Sequence, residues 1–167
     1  MKKISLLFLI SFIYISCSKT SDQEYMNQAN DFIKEKKIIE AVKSYETVLK
    51  EYPESKFAPK ALVGLATIYE SRLIDSLSSR NSYEQASSYY YKVYEKYPKS
   101  EEAPIALFQA GFLQDDALKN YDEATRIYNI FLSEYPNHKH AIVVKQALDI
   151  MGIDPLDIIS KSEAAKK

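Results

Sequence analysis

Cysteine occurs once in this chain, at Cys17, which excludes an intrachain disulfide and any metal site built on cysteines. Glycine is nearly absent, with three in 167 residues, and proline occurs only six times. That scarcity argues against a β-sandwich and against disorder, and three glycines can hardly build a phosphate-cradling loop. Tryptophan is missing altogether. Neither sign of charge dominates, because 22 basic and 23 acidic residues leave a formal charge of −1. There is thus no basic face of the kind nucleic acid requires, and none is expected as a partner. What the chain does have is tyrosine, fourteen of them, with charges of both signs spread throughout. This is the composition of a helical protein, one domain or one short repeat array with room for a sizeable core.

A repeat organises it. The stretch AVKSYETVLKEYP, from Ala41 to Pro53, recurs as ASSYYYKVYEKYP ending at Pro98 and as ATRIYNIFLSEYP ending at Pro136. Ala and Tyr stand eleven residues apart in every copy (Ala41/Tyr52, Ala86/Tyr97, Ala124/Tyr135), and a second Ala follows each Pro by five, at Ala58, Ala103 and Ala141. Fixed spacing of this kind is the mark of a repeat architecture.

Periodicity supplies the elements. Tyr25, Ala29, Phe32 and Ile33 share one face of a helix predicted over Asp22 to Lys36, and Ala41, Val42, Tyr45, Val48 and Leu49 share one over Ile38 to Glu51. Pro53 ends the second helix by forcing the preceding residue out of helical geometry. Ser55 is expected to cap a third helix reaching about Leu73, with Ala61, Leu62, Leu65, Ala66 and Tyr69 inward. The spacing then breaks: Ala41 to Ala86 is forty-five residues, Ala86 to Ala124 thirty-eight. The seven extra residues lie in Ser71 to Ser82 and read as a lengthened helix plus a protruding loop, either a partner contact or a tolerated insertion. The returning helix, Tyr83 to Tyr97, places Tyr90 and Tyr97 at repeat positions in the core. Tyr91 and Tyr94 share another face, either packed against a neighbouring hairpin or exposed as an aromatic patch. Ser100 is expected to cap the fifth helix, with Glu101 and Glu102 in its first turn. Ala103, Ala106, Leu107, Ala110 and Leu113 then face inward and Gly111 takes a close contact. Asn120 to Glu123 forms a turn and helix start, and His138 to Met151 is a last helix capping the array. Gly152 and Pro155 stop it, leaving residues 153–167 as a tail.

Tyr25, Ala29, Phe32, Ala41, Tyr45 and Pro53 stand at the large, small, aromatic, small, aromatic and proline positions of the tetratricopeptide repeat, which the chain resembles over residues 24–152. The resemblance implies an all-α fold, an α-α superhelix of about three helix hairpins plus a C-terminal capping helix. More narrowly, YPESKFAPKA and YPKSEEAPIA resemble the BamD-like outer-membrane lipoproteins of barrel assembly and related periplasmic repeat coordinators, while the third copy, YPNHKHAIVV, departs from that pattern.

The chain opens MKKISLLFLISFIYISC, with Lys2 and Lys3 before an apolar run from Ile4 to Ser16. Its thirteen residues fall short of the ~18–20 that span a bilayer permanently and suit a secretory signal peptide; an uncleaved anchor is the alternative. Ile15-Ser16-Cys17 resembles the lipobox of bacterial lipoproteins. That resemblance implies a signal peptide over residues 1–16, acyl chains on Cys17 and a short polar tether over residues 17–23, with Ser18 resembling outer-membrane sorting. Several acyl chains, at ~0.8 kcal/mol per buried methylene, make a durable anchor.

No catalytic constellation is present, and no enzyme, cofactor or metal is expected. His138 and His140 lack a Cys or clustered carboxylates at ligand spacing. Asp115 and Asp116 are consecutive and point about 100° apart on a helix, so they do not converge as an acid/base pair. A superhelix of hairpins has a concave face lined by the first helix of each. Registering those helices on Ala29, Ala66 and Gly111 places Asn30 and Lys34, then Lys60, Val63 and Thr67, then Phe108, Phe112 and Asp115 on that face. Polar at one end and aromatic at the other, it suits an extended or helical peptide. The expectation is a non-enzymatic envelope scaffold, anchored by lipid to the outer membrane and facing the periplasm. Its partners would be envelope proteins, with a β-barrel assembly complex among them. The alternative is a soluble periplasmic adaptor for cell-division or peptidoglycan machinery.

Overall fold

The computed structural model describes residues 20–153. The expected signal peptide (1–16), Cys17, the start of the tether and all but the first residue of the tail lie outside the described residues.

Seven α-helices and one π-helical turn, with no strand among the described residues, follow one another as α1 (Asp22–Lys34), α2 (Ile38–Glu51), α3 (Ala58–Glu70), α4 (Ser79–Lys96), α5 (Ala103–Phe112), the π turn (Leu113–Ala117), α6 (Tyr121–Glu134) and α7 (Ala141–Ile150). Each helix packs on the next, giving hairpins α1/α2, α3/α4 and α5/α6 with α7 closing on α6.

The periodic apolar positions make the core. Met26, Ala29, Ala41, Tyr45, Val48, Ala61, Leu65 and Ile68 bury one cluster around α1, α2 and α3. A larger one runs from α3 to α7 through Leu62, Ala66, Ala86, Tyr90, Leu107, Tyr128, Phe131 and Val144. The two meet on α3, which sends Ala61, Leu65 and Ile68 one way and Leu62 and Ala66 the other. Each fully buried Leu, Val or Phe contributes about 1.5–3 kcal/mol. Of the two alternatives for Tyr91 and Tyr94, packing is the one found. Both are half-buried against the larger cluster, edge-on to each other at 5.9 Å, and Tyr94 meets Tyr135 at 6.3 Å.

Helix ends differ from the sequence reading in instructive ways. Phe57 and Glu102, rather than Ser55 and Ser100, precede α3 and α5, and Pro59 and Pro104 sit in the first turn, where a missing N–H is no loss. Ser55 instead donates from Oγ to Asp22 Oδ2 at 2.6 Å and accepts from the Phe57 N–H at 3.0 Å, tying a turn to α1. Glu101 and Glu102 accordingly lie before α5, not in its first turn. α1 stops at Lys34 and α3 at Glu70, each closed by a residue in left-handed geometry, Lys36 (φ 59°) and Arg72 (φ 54°). The next N–H in each case reaches back across the turn, Lys37 to the Phe32 carbonyl and Leu73 to the Ile68 carbonyl, the closure such a residue permits. Of the seven extra residues, part lengthens the returning helix, since α4 starts at Ser79 instead of Tyr83. The remainder forms the bend over 71–78, whose Ile74 packs on the first cluster.

The Tyr-Pro repeat has a physical reason. Tyr97 Oη donates to the Pro53 carbonyl at 2.8 Å, and Tyr135 Oη to the Pro98 carbonyl at 3.0 Å. Each tyrosine thus reaches back to the proline of the preceding turn. Tyr52, which has no turn before it, donates to the Thr20 carbonyl at 2.5 Å. These bonds line the turns up along one edge of the array. Tyr97, expected in the core, therefore lies at its margin with the hydroxyl on that edge.

Candidate partner-binding groove

The face presented by α1, α3 and α5 is set by how closely their neighbours approach. A Cβ on Gly111 would stand 2.6 Å from Tyr128 Cε1, and one on Gly64 2.5 Å from Tyr45 Cζ. Glycine lets α5 close on α6, and α3 on α2. Gly64 escaped the sequence reading. Its signal was a glycine in mid-helix, disfavoured by about 1 kcal/mol against alanine unless packing requires it.

With Ala66 and Gly111 equivalent, Lys60/Ile105, Val63/Phe108, Thr67/Phe112 and Glu70/Asp115 occupy matching positions on α3 and α5. Between the two helices lies a groove of about 250 Å³ lined by Val63, Tyr90, Ile105, Ala106 and Gln109, with Glu101 and Glu102 at its rim. Ile105 is 46% exposed and Phe112 41%, two large apolar side chains on one stripe of a helix whose other positions are packed. Phe108, between them in sequence, does not line this groove and turns toward the start of α7. Its ring stacks on His140 (4.5 Å, 12°) and lies 6.3 Å from Phe112 and 6.3 Å from Phe131. The two histidines belong to this layer: His138 stands edge-on to Phe131 at 5.6 Å, and its Nδ1 accepts the His140 N–H at 3.3 Å. Burial, then the neighbouring His140 and Lys139, hold the His138 pKa below its ordinary value.

The remaining predicted residues frame the groove or lie away from it. Thr67 is exposed, its Oγ1 donating to the Val63 carbonyl at 2.9 Å. Lys60 is exposed with Nζ 3.9 Å from Glu102. Asp115 is half-buried on the π turn, where burial raises its carboxyl against the pull of Lys119. Asn30 and Lys34 stand on α1, outside the groove: Asn30 Oδ1 accepts from Tyr45 Oη at 3.0 Å and Lys34 pairs with Asp31 at 2.8 Å. Of the seven residues that line the groove, only Val63 was expected on this face; Tyr90, Glu101, Glu102, Ile105, Ala106 and Gln109 were not, and Lys60, Thr67, Phe108, Phe112 and Asp115 do not line it. Ile105 stands three before Phe108 and seven before Phe112, so the stripe was readable one turn earlier. Glu70 accepts from Tyr90 Oη at 2.7 Å, while burial pushes the Tyr90 hydroxyl up to about 12.

The charged residues that line the groove are both acids, Glu101 and Glu102, with Lys60 Nζ 3.9 Å from Glu102. A larger depression of about 520 Å³ lies at the turn edge, but its lining mixes Lys56, Lys60 and Lys99 with Glu101 and Glu102 and offers no apolar stripe. Among the described residues no group of three His, Cys, Asp or Glu is placed to hold a metal ion, and no described helix is long and apolar enough to cross a membrane.

A family model described as a tetratricopeptide repeat matches residues 105–138, the span of α5, the π turn and α6. No curated protein matches the chain. The all-helical array is thus a tetratricopeptide-type α-α superhelix, a fold that serves as a protein-interaction scaffold through its extended concave surface.

Proposed function

We propose that this chain is a non-enzymatic scaffold of the cell envelope that holds a protein segment in the groove between α3 and α5. It is anchored to the outer membrane through acyl chains on Cys17 and faces the periplasm, with outer-membrane protein assembly as its setting. The observation that carries the groove reading is the exposed Ile105, beside Val63 and Tyr90 and under the acidic rim of Glu101 and Glu102. A volume of about 250 Å³ takes one or two apolar side chains, each worth about 1.5–3 kcal/mol on full burial. The rim favours basic residues flanking them. The lipobox-like Ile15-Ser16-Cys17 supports the anchor, and the YPESKFAPKA and YPKSEEAPIA segments support the setting.

The test is a crosslinked pull-down from native membranes with the wild type, Ile105→Asp and Cys17→Ala in parallel. Ile105→Asp leaves the fold intact, since the residue is exposed, and abolishes recovery of a β-barrel assembly protein. Cys17→Ala releases the protein from salt-washed membranes. Equal recovery with Ile105→Asp would refute the groove, and retention of Cys17→Ala in the pellet would refute the anchor. Recovery of division or peptidoglycan proteins with both Cys17 forms would favour the soluble adaptor.

A further inference from the structure

We infer that the edge bearing the Tyr-Pro turns lies against the membrane surface and that the opposite edge is held away from it, resting on the acylated Cys17 proposed above. From Thr20 onward the tether is part of the body. The Thr20 carbonyl accepts from Tyr52 Oη at 2.5 Å, Ser21 Oγ caps α1 by accepting the Glu24 N–H at 3.2 Å, and Asp22 accepts from Ser55 at 2.6 Å. Only Ser18 and Lys19 separate Cys17 from Thr20, a reach of at most about 10 Å at ~3.3–3.6 Å per residue. Acyl chains that enter the bilayer at Cys17 therefore hold Thr20 beside the headgroup layer.

Thr20 lies on one particular edge. Its bond to Tyr52 begins the series continued by Tyr97 on Pro53 and Tyr135 on Pro98, so the three turns flank it. α1, α3, α5 and α7 all start from this edge. The thirteen residues of α3, at ~1.5 Å each, carry the bend over 71–78 about 20 Å away. The edge presents both signs, with Lys56, Lys60, Lys96 and Lys99 beside Glu54, Glu101 and Glu102. That near-balanced mixture suits a zwitterionic headgroup layer and gives little net pull toward anionic lipid. The short tether, not charge, sets the orientation, so the orientation is insensitive to salt. The groove's acidic rim, Glu101 and Glu102, then lies on the membrane side.

The absence of tryptophan makes single-tryptophan reporters clean. The full acylated chain, carrying Lys99→Trp on the turn edge or Asp75→Trp on the opposite one, is placed in phosphatidylcholine vesicles containing a headgroup nitroxide lipid. Lys99→Trp loses most of its emission and Asp75→Trp keeps most of its own, at low and high salt alike. Equal quenching at both positions, or stronger quenching at 75, in protein whose mass shows acylation overturns the orientation and leaves the anchor standing. A chain of unmodified mass that does not bind vesicles overturns the anchor and the orientation with it.

Discussion

Gly111→Ala tests the packing that shapes the groove. The added Cβ would lie 2.6 Å and 2.7 Å from Cε1 and Cδ1 of Tyr128 and 3.3 Å from Ile127 Cγ2. Carbon atoms rest ~3.5–4.0 Å apart, so the shortfall against the ring is about 1 Å. The ring has nowhere to swing, because Tyr128 and Ile127 are each 1% exposed. α5 and α6 must separate instead, an overpacking that costs about 1–3 kcal/mol, offset by about 1 kcal/mol of helix propensity gained over glycine. The net expectation is a loss of up to about 2 kcal/mol, against a total stability of about 5–15 kcal/mol. Urea unfolding followed by far-ultraviolet circular dichroism reads it. In a Tyr128→Leu background the clash is gone, so Gly111→Ala becomes neutral or mildly stabilising even though Tyr128→Leu is itself destabilising. A stabilising Gly111→Ala in the wild type, or the same effect in both backgrounds, refutes the close-approach account.

Other substitutions probe other parts of the fold. Ser87→Ala removes a hydroxyl that donates to the Ala110 carbonyl at 3.1 Å and accepts from Gln114 Nε2 at 2.9 Å; with Ser87 only 2% exposed, the expected loss is about 1–3 kcal/mol in the same urea assay. Lys36→Gly relieves a left-handed backbone (φ 59°) and raises stability by about 0.5–1 kcal/mol, seen as a higher Tm. The depressed pKa of His138 means that the folded state binds fewer protons than the unfolded state, so its contribution is present above the ordinary value near ~6.5 and lost as pH falls through the lower folded value. Acid titration of stability below about pH 6.5 is therefore shallower in His138→Phe, which keeps a ring against Phe131 and cannot titrate.

Much of the fold was legible because the small and large core residues recur at fixed intervals. Ala29, Ala41, Tyr45, Ala86, Tyr90, Ala124 and Tyr128 are all buried, each where the repeat spacing put it. What was not legible depended on contacts between units. Ser55 and Ser100 look like caps because serine before a helix usually is one, but proline in the first turn shifted the start and left Ser55 to bind Asp22 across the hairpin. The π turn was missed although the sequence held its trace. Gly111 to Ala124 is thirteen residues where Ala29 to Ala41 is twelve, and the surplus residue is absorbed at Leu113–Ala117. Along α5, Phe112 is outward but Phe108 is held down by His140. A ring in the turn after α6 decides that, and no periodicity within α5 carries the information.

The register that packs the core also separates recognition from stability. Ala66 and Gly111 are both buried, and Tyr128 sets the close approach at Gly111. Lys60/Ile105 and Thr67/Phe112 are exposed, so these pairs can differ in polarity from one hairpin to the next at little expense to folding. They do differ: a charged and a hydroxyl side chain on α3 correspond to an aliphatic and an aromatic one on α5. A change at Gly111 therefore disturbs the fold first and the groove as a consequence, whereas Ile105→Asp alters the groove and leaves unfolding nearly unchanged. Opposite effects of the two substitutions on stability and on partner recovery are what a scaffold built this way requires. If Ile105→Asp instead destabilised the fold as much as Gly111→Ala, position 105 would belong to the core and the groove reading would lose its main support.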